Sequence, residues 1–246
     1  MTEVDVPRTD LQPGVTVLPA QGQTQAVVLV LHGGKANSYD PSDRTHLSSV
    51  RMKPFAVNVH KQGAEHGVAV WRLRYRVRGW NAPERSPALD AQWALEEIRR
   101  RHGDIPVILL GHSMGGRAAV AVLGDPSVTA MVALCPWLPD EPIEGAQGKK
   151  ILIAHAQVDR WTSTKETFSW AERARPLATS LTYVSVSGTG HFMLRRWRLW
   201  RDLATGFALG AFAPGAAEHT PIDPSVGQIA ANILSEAAAG ATTLSV

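Results

Sequence analysis

Residues 26–31 read AVVLVL and residues 105–110 read IPVILL. Unbroken apolar runs of this length lack the polar alternation of a half-exposed strand. They belong to strands buried on both faces. Segments of a different period lie between and after them. Residues 54–66 suit a helix. Residues 87–102 set Leu89, Trp93, Leu95 and Ile98 at helical spacing and stop at Gly103. Further strand-like runs fall at 68–73, 130–134, 151–156 and 181–186, and further helical segments at 114–123, 163–174 and 195–207. Residues 15–18 suit an edge strand at the start. Buried strands alternating with helices imply an α/β architecture, a mostly parallel sheet with helices on both faces.

The chain of 246 residues is long for an average domain, but a sheet of this kind reaches that size as one unit. One domain is expected over 1–213. From Pro214 the composition turns to Ala, Gly, Pro and Thr, and no Lys or Arg follows Arg201. Residues 214–246 read as a C-terminal appendage, with 226–239 suited to a helix and the rest to loose or disordered chain. Cys135 is the single cysteine, so no internal disulfide forms. The start, Met1-Thr2-Glu3-Val4-Asp5, is acidic rather than an apolar leader, and no run approaches the ~18 apolar residues of a membrane span. A cytoplasmic protein without a membrane span is the expectation. Net charge is +3, with arginines grouped at 72–78, at 99–101 and at 195–201. No nucleic-acid motif accompanies them, so solvated arginines are expected rather than a nucleic-acid partner. No His/Asp/Glu group has ligand spacing, so neither a metal nor another cofactor is expected.

Gly111-His112-Ser113-Met114-Gly115 fits G-x-S-x-G. The pattern is weak alone, and its setting decides: a buried strand ends directly before it and a helix starts directly after it. Such a turn forces the serine backbone into a strained conformation, and side chains at 111 and 115 would collide across it. Ser113 is therefore the candidate nucleophile. A hydroxyl needs a base, and His191 stands in a glycine-flanked loop, Gly188-Thr189-Gly190-His191, after the 181–186 strand. Loops at the carboxyl ends of parallel strands are where reactive groups converge. The rivals His32, His112 and His155 read as structural. For the carboxylate that orients the base, Asp159 after 151–156 is the first choice and Asp140 after 130–134 the rival. Donors for a developing oxyanion are expected from the Met114 amide, at a helix start, and from Gly34 in His32-Gly33-Gly34-Lys35, with Lys35 next. Trp137 is the candidate wall of the acyl pocket, with Trp161 behind it. Cys135, in an apolar strand-end setting, is expected to be buried and inert.

In combination, the strand–HGG loop, the GHSMGG elbow, the strand–Asp loop and the GTGH loop resemble the α/β-hydrolase superfamily over about residues 26–213, in the order Ser, Asp, His. The likeness is greatest to small capless bacterial serine hydrolases of the dienelactone hydrolase and lysophospholipase kind. The resemblance implies a roughly eight-stranded sheet and hydrolysis of a carboxylic ester, a thioester or a similar acyl bond in a small-molecule substrate. The oxyanion loop reads HGGK where one esterase group has HGGG. About sixteen residues separate the 130–134 strand from Ile151, too few for a helical cap. An open site is expected, with the loop 35–53 as its only cover. Two other readings share these features: acyl transfer or perhydrolysis on the same fold, and a non-catalytic binding module using the arginine-rich surfaces.

Overall fold

The computed structural model describes residues 11–212, 224–240 and 242–246. Residues 1–5 and the first part of the proposed appendage, 214–223, lie outside the described residues. The strands are β1 (Gly14–Leu18), β2 (Ala26–Leu31), β3 (Val68–Arg74), β4 (Val107–His112), β5 (Val128–Leu134), β6 (Lys150–Ala156), β7 (Ser180–Val186) and β8 (Thr243–Ser245). They form one eight-stranded sheet in the order β1-β3-β2-β4-β5-β6-β7-β8. β1 runs antiparallel to β3, and the other pairings are parallel.

The uniform apolar strands are explained by two cores. Val27, Leu29 and Leu31 face one side of the sheet, and Ala26, Val28 and Val30 face the other. On the first side lie helices α2 (Ser86–His102), α3 (Met114–Val122) and α4 (Thr164–Ala174). On the second lie α1 (Leu47–Gly63) and α5 (Trp197–Phe212), with α6 (Pro224–Ala238) packed on α5. Residues 226–239, read as helix-compatible, fall almost entirely within α6. β8 pairs with β7 from Tyr183 opposite Thr243 to Ser185 opposite Ser245.

Several boundaries differ from the sequence reading, most at the start of α1 and at the end of α5, which runs to Phe212 rather than 207. Helix α1 starts at Leu47 rather than at 54, because Pro54 sits inside it. An interior proline removes one backbone bond. Here Pro54 and Val50, whose carbonyl loses its donor, are both exposed residues on the solvent side of the helix. Strand β4 runs on through His112, directly up to Ser113.

The chain between β2 and α1 is tied down. Lys35 N–H donates to Arg78 O at 2.9 Å, Arg78 N–H to Asp40 O at 3.0 Å and Trp80 N–H to Lys35 O at 2.9 Å. The segment 35–46 is thus pinned to the stretch after β3. From β2 the sheet grows in both directions, to β3 on one side and β4 on the other. The carboxyl ends of β2 and β4 therefore flank the reversal point where open α/β sheets bind ligands. Between β5 and β6 the chain forms a short 3-10 turn, Glu144–Ala146, and no cap. Among the described residues no helix is long and apolar enough to cross a membrane.

Candidate active site

Ser113 links β4 to α3 with φ 56° and ψ −122°, a region costly for a residue with a Cβ. The surroundings hold it there. Ser113 N–H donates to Leu134 O at 3.1 Å, and its own carbonyl accepts from Gly116 N–H at 2.9 Å and Trp137 N–H at 3.1 Å. A Cβ on Gly111 would overlap the Gly115 carbonyl, and one on Gly115 would overlap the Leu31 carbonyl at the end of β2. The two glycines let helix α3 begin in contact with the ends of both strands, and this turns the Ser113 side chain outward.

His191 reaches this point from the loop between β7 and α5. Its Nε2 lies 3.0 Å from Ser113 Oγ, and its Nδ1 lies 2.7 Å from Asp159 Oδ2. The carboxylate accepts, so Nδ1 carries the proton and Nε2 is free to accept from the serine hydroxyl. Asp159 is fully buried as a side chain and is held from five directions. Oδ1 accepts from Trp161 N–H at 2.7 Å and Thr162 N–H at 3.0 Å. Oδ2 accepts from Thr162 Oγ1 at 2.9 Å and His155 Nε2 at 3.2 Å, in addition to His191. Burial pushes this carboxyl upward, but the donors, first His155 and His191 and then the two backbone amides, outweigh it. They hold it well below the usual carboxylate range. Asp140 is remote from this group. Its side chain is 98% exposed and faces Arg173 at 3.5 Å.

The rival histidines His32, His112 and His155 are buried. Burial drives His112 down to about 3, so it is neutral. Its Nε2–H donates to the His191 carbonyl at 2.9 Å, tying the His191 backbone to the elbow. Burial likewise drives His32 down to about 4, and its Nδ1–H donates to Gly33 O at 2.7 Å. The positioning contacts of Thr162 and His155 carry no sequence signature. They depend on which side chains meet around Asp159.

Gly34 lies against the Met114 side chain and the Arg78 carbonyl. Its neighbour Lys35 has its N–H committed to that carbonyl, so Lys35 is not available as a second oxyanion donor. Met114 opens helix α3, where the first amides have no partner within the helix. Trp137 is half-buried at the edge of the core. Its ring stacks on the Arg117 guanidinium at 4.3 Å, which is bonded to Glu141. Cys135 is buried, and burial pushes its thiol pKa up. Cys135, His155 and Asp159 bring their ligand atoms within 4.8 Å of one another. Asp159 already satisfies five donors, and a raised thiol disfavours the thiolate that a metal needs.

The family profile described as "Alpha/beta hydrolase family" matches residues 27–239. The chain belongs to the alpha/beta hydrolase family. Solved structures agree on the fold. A serine hydrolase without a lid from Xanthomonas campestris is 17% identical, with TM-score 0.59 over 85% of this chain and 91% of that one. An alpha-beta serine hydrolase homologue from Coxiella burnetii is also 17% identical, with TM-score 0.58 over 78% of this chain and 90% of that one. An esterase domain from Rhodothermus marinus is 15% identical, with TM-score 0.54 over 83% of this chain and 98% of that one. No curated protein matches in sequence.

In this member of the alpha/beta hydrolase family no helical cap stands between β5 and β6. A cleft of about 360 Å³ opens beside His191, lined by Val158, Arg160, Trp161, Phe192 and Leu194 among others. Trp161, 71% exposed, stacks on the His191 ring at 6.4 Å, and Phe192 meets that ring edge-on at 5.3 Å. Trp137 is not among its lining residues.

Proposed function

We propose that the protein is a serine hydrolase that cleaves carboxylic ester or thioester bonds through an acyl-enzyme on Ser113. The observation that carries this reading is the hydrogen-bonded line from Ser113 Oγ through His191 to Asp159. Ser113 Oγ attacks the acyl carbonyl while His191 Nε2 takes the hydroxyl proton. The ionised Asp159 stabilises the imidazolium through Nδ1–H and does not itself take the proton. The carbonyl oxygen, now negative, is received by the amides of Met114 and Gly34. The C–O or C–S bond then breaks, and His191 gives its proton to the departing alcohol or thiol. Water, deprotonated by His191, attacks the acyl-serine. The carboxylic acid leaves and Ser113 regains its proton.

A fluorophosphonate probe tests the reading directly. Labelling is expected at Ser113 and is expected to vanish in Ser113→Ala, together with hydrolysis of p-nitrophenyl and acyl-thioester substrates. A folded wild-type protein that neither reacts with the probe nor turns over any member of a chain-length series of these substrates would remove the proposal.

A further inference from the structure

Many arginines in this molecule meet a carboxylate. Arg76 meets Asp90, Arg85 and Arg117 meet Glu141, and Arg99 meets Asp125. Three arginines at or beside the cleft do not. Among the described residues Arg51, Arg160 and Arg195 form no ion pair with a carboxylate. Arg160 and Arg195 line the cleft. Arg51, in the second turn of α1, lays its guanidinium over the Phe192 ring at 4.5 Å, and Phe192 is itself a wall of the cleft. Arg51 Nε is buried and has no hydrogen-bond partner. Burial already works against its charge, with no acid in compensation. A desolvated guanidinium left without an acceptor is costly, and the fork geometry of arginine matches a carboxylate or a phosphate. The remaining wall of the cleft, Val158, Trp161, Phe192 and Leu194, is apolar and well exposed.

We infer that the cleft takes an anionic amphiphile: an acyl substrate with an apolar segment against Trp161 and Phe192 and a carboxylate or phosphate group received by Arg51, with Arg160 and Arg195 at the rim. This rests on the serine-hydrolase reading for the reaction, but the anion preference is a property of the cleft and is measurable without turnover. An uncharged ester would bury the apolar wall yet leave the Arg51 guanidinium without an acceptor. An anionic one supplies an acceptor to a half-buried guanidinium that meets no carboxylate.

Two measurements on the full chain test it. The first is binding of octanoate, octyl phosphate and octanol by calorimetry, at low salt and below micelle concentrations. At least one of the two anions is expected to bind about tenfold or more tightly than octanol. The advantage is expected to shrink as salt rises. The tighter anion identifies the headgroup as carboxylate or phosphate. The second is the ratio of kcat/KM for p-nitrophenyl hydrogen glutarate to that for p-nitrophenyl hexanoate. It is expected to fall about tenfold or more in Arg51→Gln and to be largely restored in Arg51→Lys. Anions that bind no better than octanol overturn the inference, as does a ratio that does not move in a folded Arg51→Gln protein. If neither ester is turned over by the wild type, the hydrolase reading fails, and the binding measurement still decides the anion preference.

Discussion

Two regions meet at His191 and are built on opposite principles. The relay of Ser113, His191 and Asp159 is over-determined. Asp159 accepts five hydrogen bonds, His191 is tied by its carbonyl to His112, and the elbow is held by backbone bonds to Leu134 and Trp137. The rim is the reverse. Trp161, two residues beyond Asp159, is 71% exposed, and Leu194, three beyond His191, is 75% exposed. The same two loops thus supply a heavily hydrogen-bonded inner end and an exposed apolar outer end. Groups that exchange a proton need positions held to fractions of an ångström. Groups that receive an apolar substrate need accessible area instead.

The contrast predicts that substitutions in the relay are far more damaging than those in the rim. The largest expected effect is in Asp159→Asn. It removes the acceptor that sets the His191 tautomer and lowers kcat by about 10⁴-fold. Asp140→Asn, on an exposed carboxylate, stays within about twofold. Comparable losses in the two variants would mean that Asp159 does not orient the base.

Next comes Gly115→Ala, which drives a Cβ into the Leu31 carbonyl and pushes α3 away from β2. Overpacking of this kind costs about 3 kcal/mol, read as a lower urea midpoint together with lost activity. An unchanged midpoint would show that the elbow is less tightly packed than its backbone contacts imply.

The buried histidines give a smaller, graded effect. His32 and His112 have native pKa values of about 4 and about 3, below the ordinary 6.5. The unfolded chain therefore binds protons first as pH falls. Their contribution is complete above pH 6.5 and is lost as pH drops toward 4 and 3, at no more than about 1.4 kcal/mol per pH unit for each. Asp159, whose carboxyl is depressed, adds its own loss only below its unfolded value of 3.8. Urea titrations at pH 7, 6 and 5 are expected to show falling stability, with a shallower fall in His112→Asn. A flat profile over that range would contradict the burial of both rings.

The smallest effect is expected at the rim. Trp161→Ala removes an exposed aromatic face and is expected to raise KM for medium-chain esters about fivefold, with the urea midpoint in place. A collapse in stability would place Trp161 with the relay rather than the rim.

Much of this was legible in the linear chain because it depends on local pattern. AVVLVL admits only a strand covered on both faces, and it lies between two cores. G-H-S-M-G between a strand and a helix specified the elbow. Pro54 suggests a helix start, whereas α1 begins seven residues earlier and carries the proline on an exposed position in its interior. For the pocket wall the sequence offers Trp137 first, just past a strand end, and Trp161 behind it. In the fold Trp161 stacks on His191 beside the cleft, and Trp137 lies on Arg117. Arg51 had no signature of its own. Its significance comes from Phe192, 141 residues later in the numbering of the same chain.

The sequence by itself determined the layers of this alpha/beta hydrolase, the turn that carries Ser113 and the order in which the candidate groups appear. Those properties follow from hydrophobic period and local backbone sterics, which neighbours in the chain decide. Only the tertiary structure separated Asp159 from Asp140. Both follow a strand of the same sheet, and strand order and loop path bring one within 2.7 Å of His191 and leave the other facing solvent. The tertiary structure also decided that three arginines stand without acids around the cleft. Charge pairing is a matter of distance across the fold, and distance across the fold is not written in the spacing of residues.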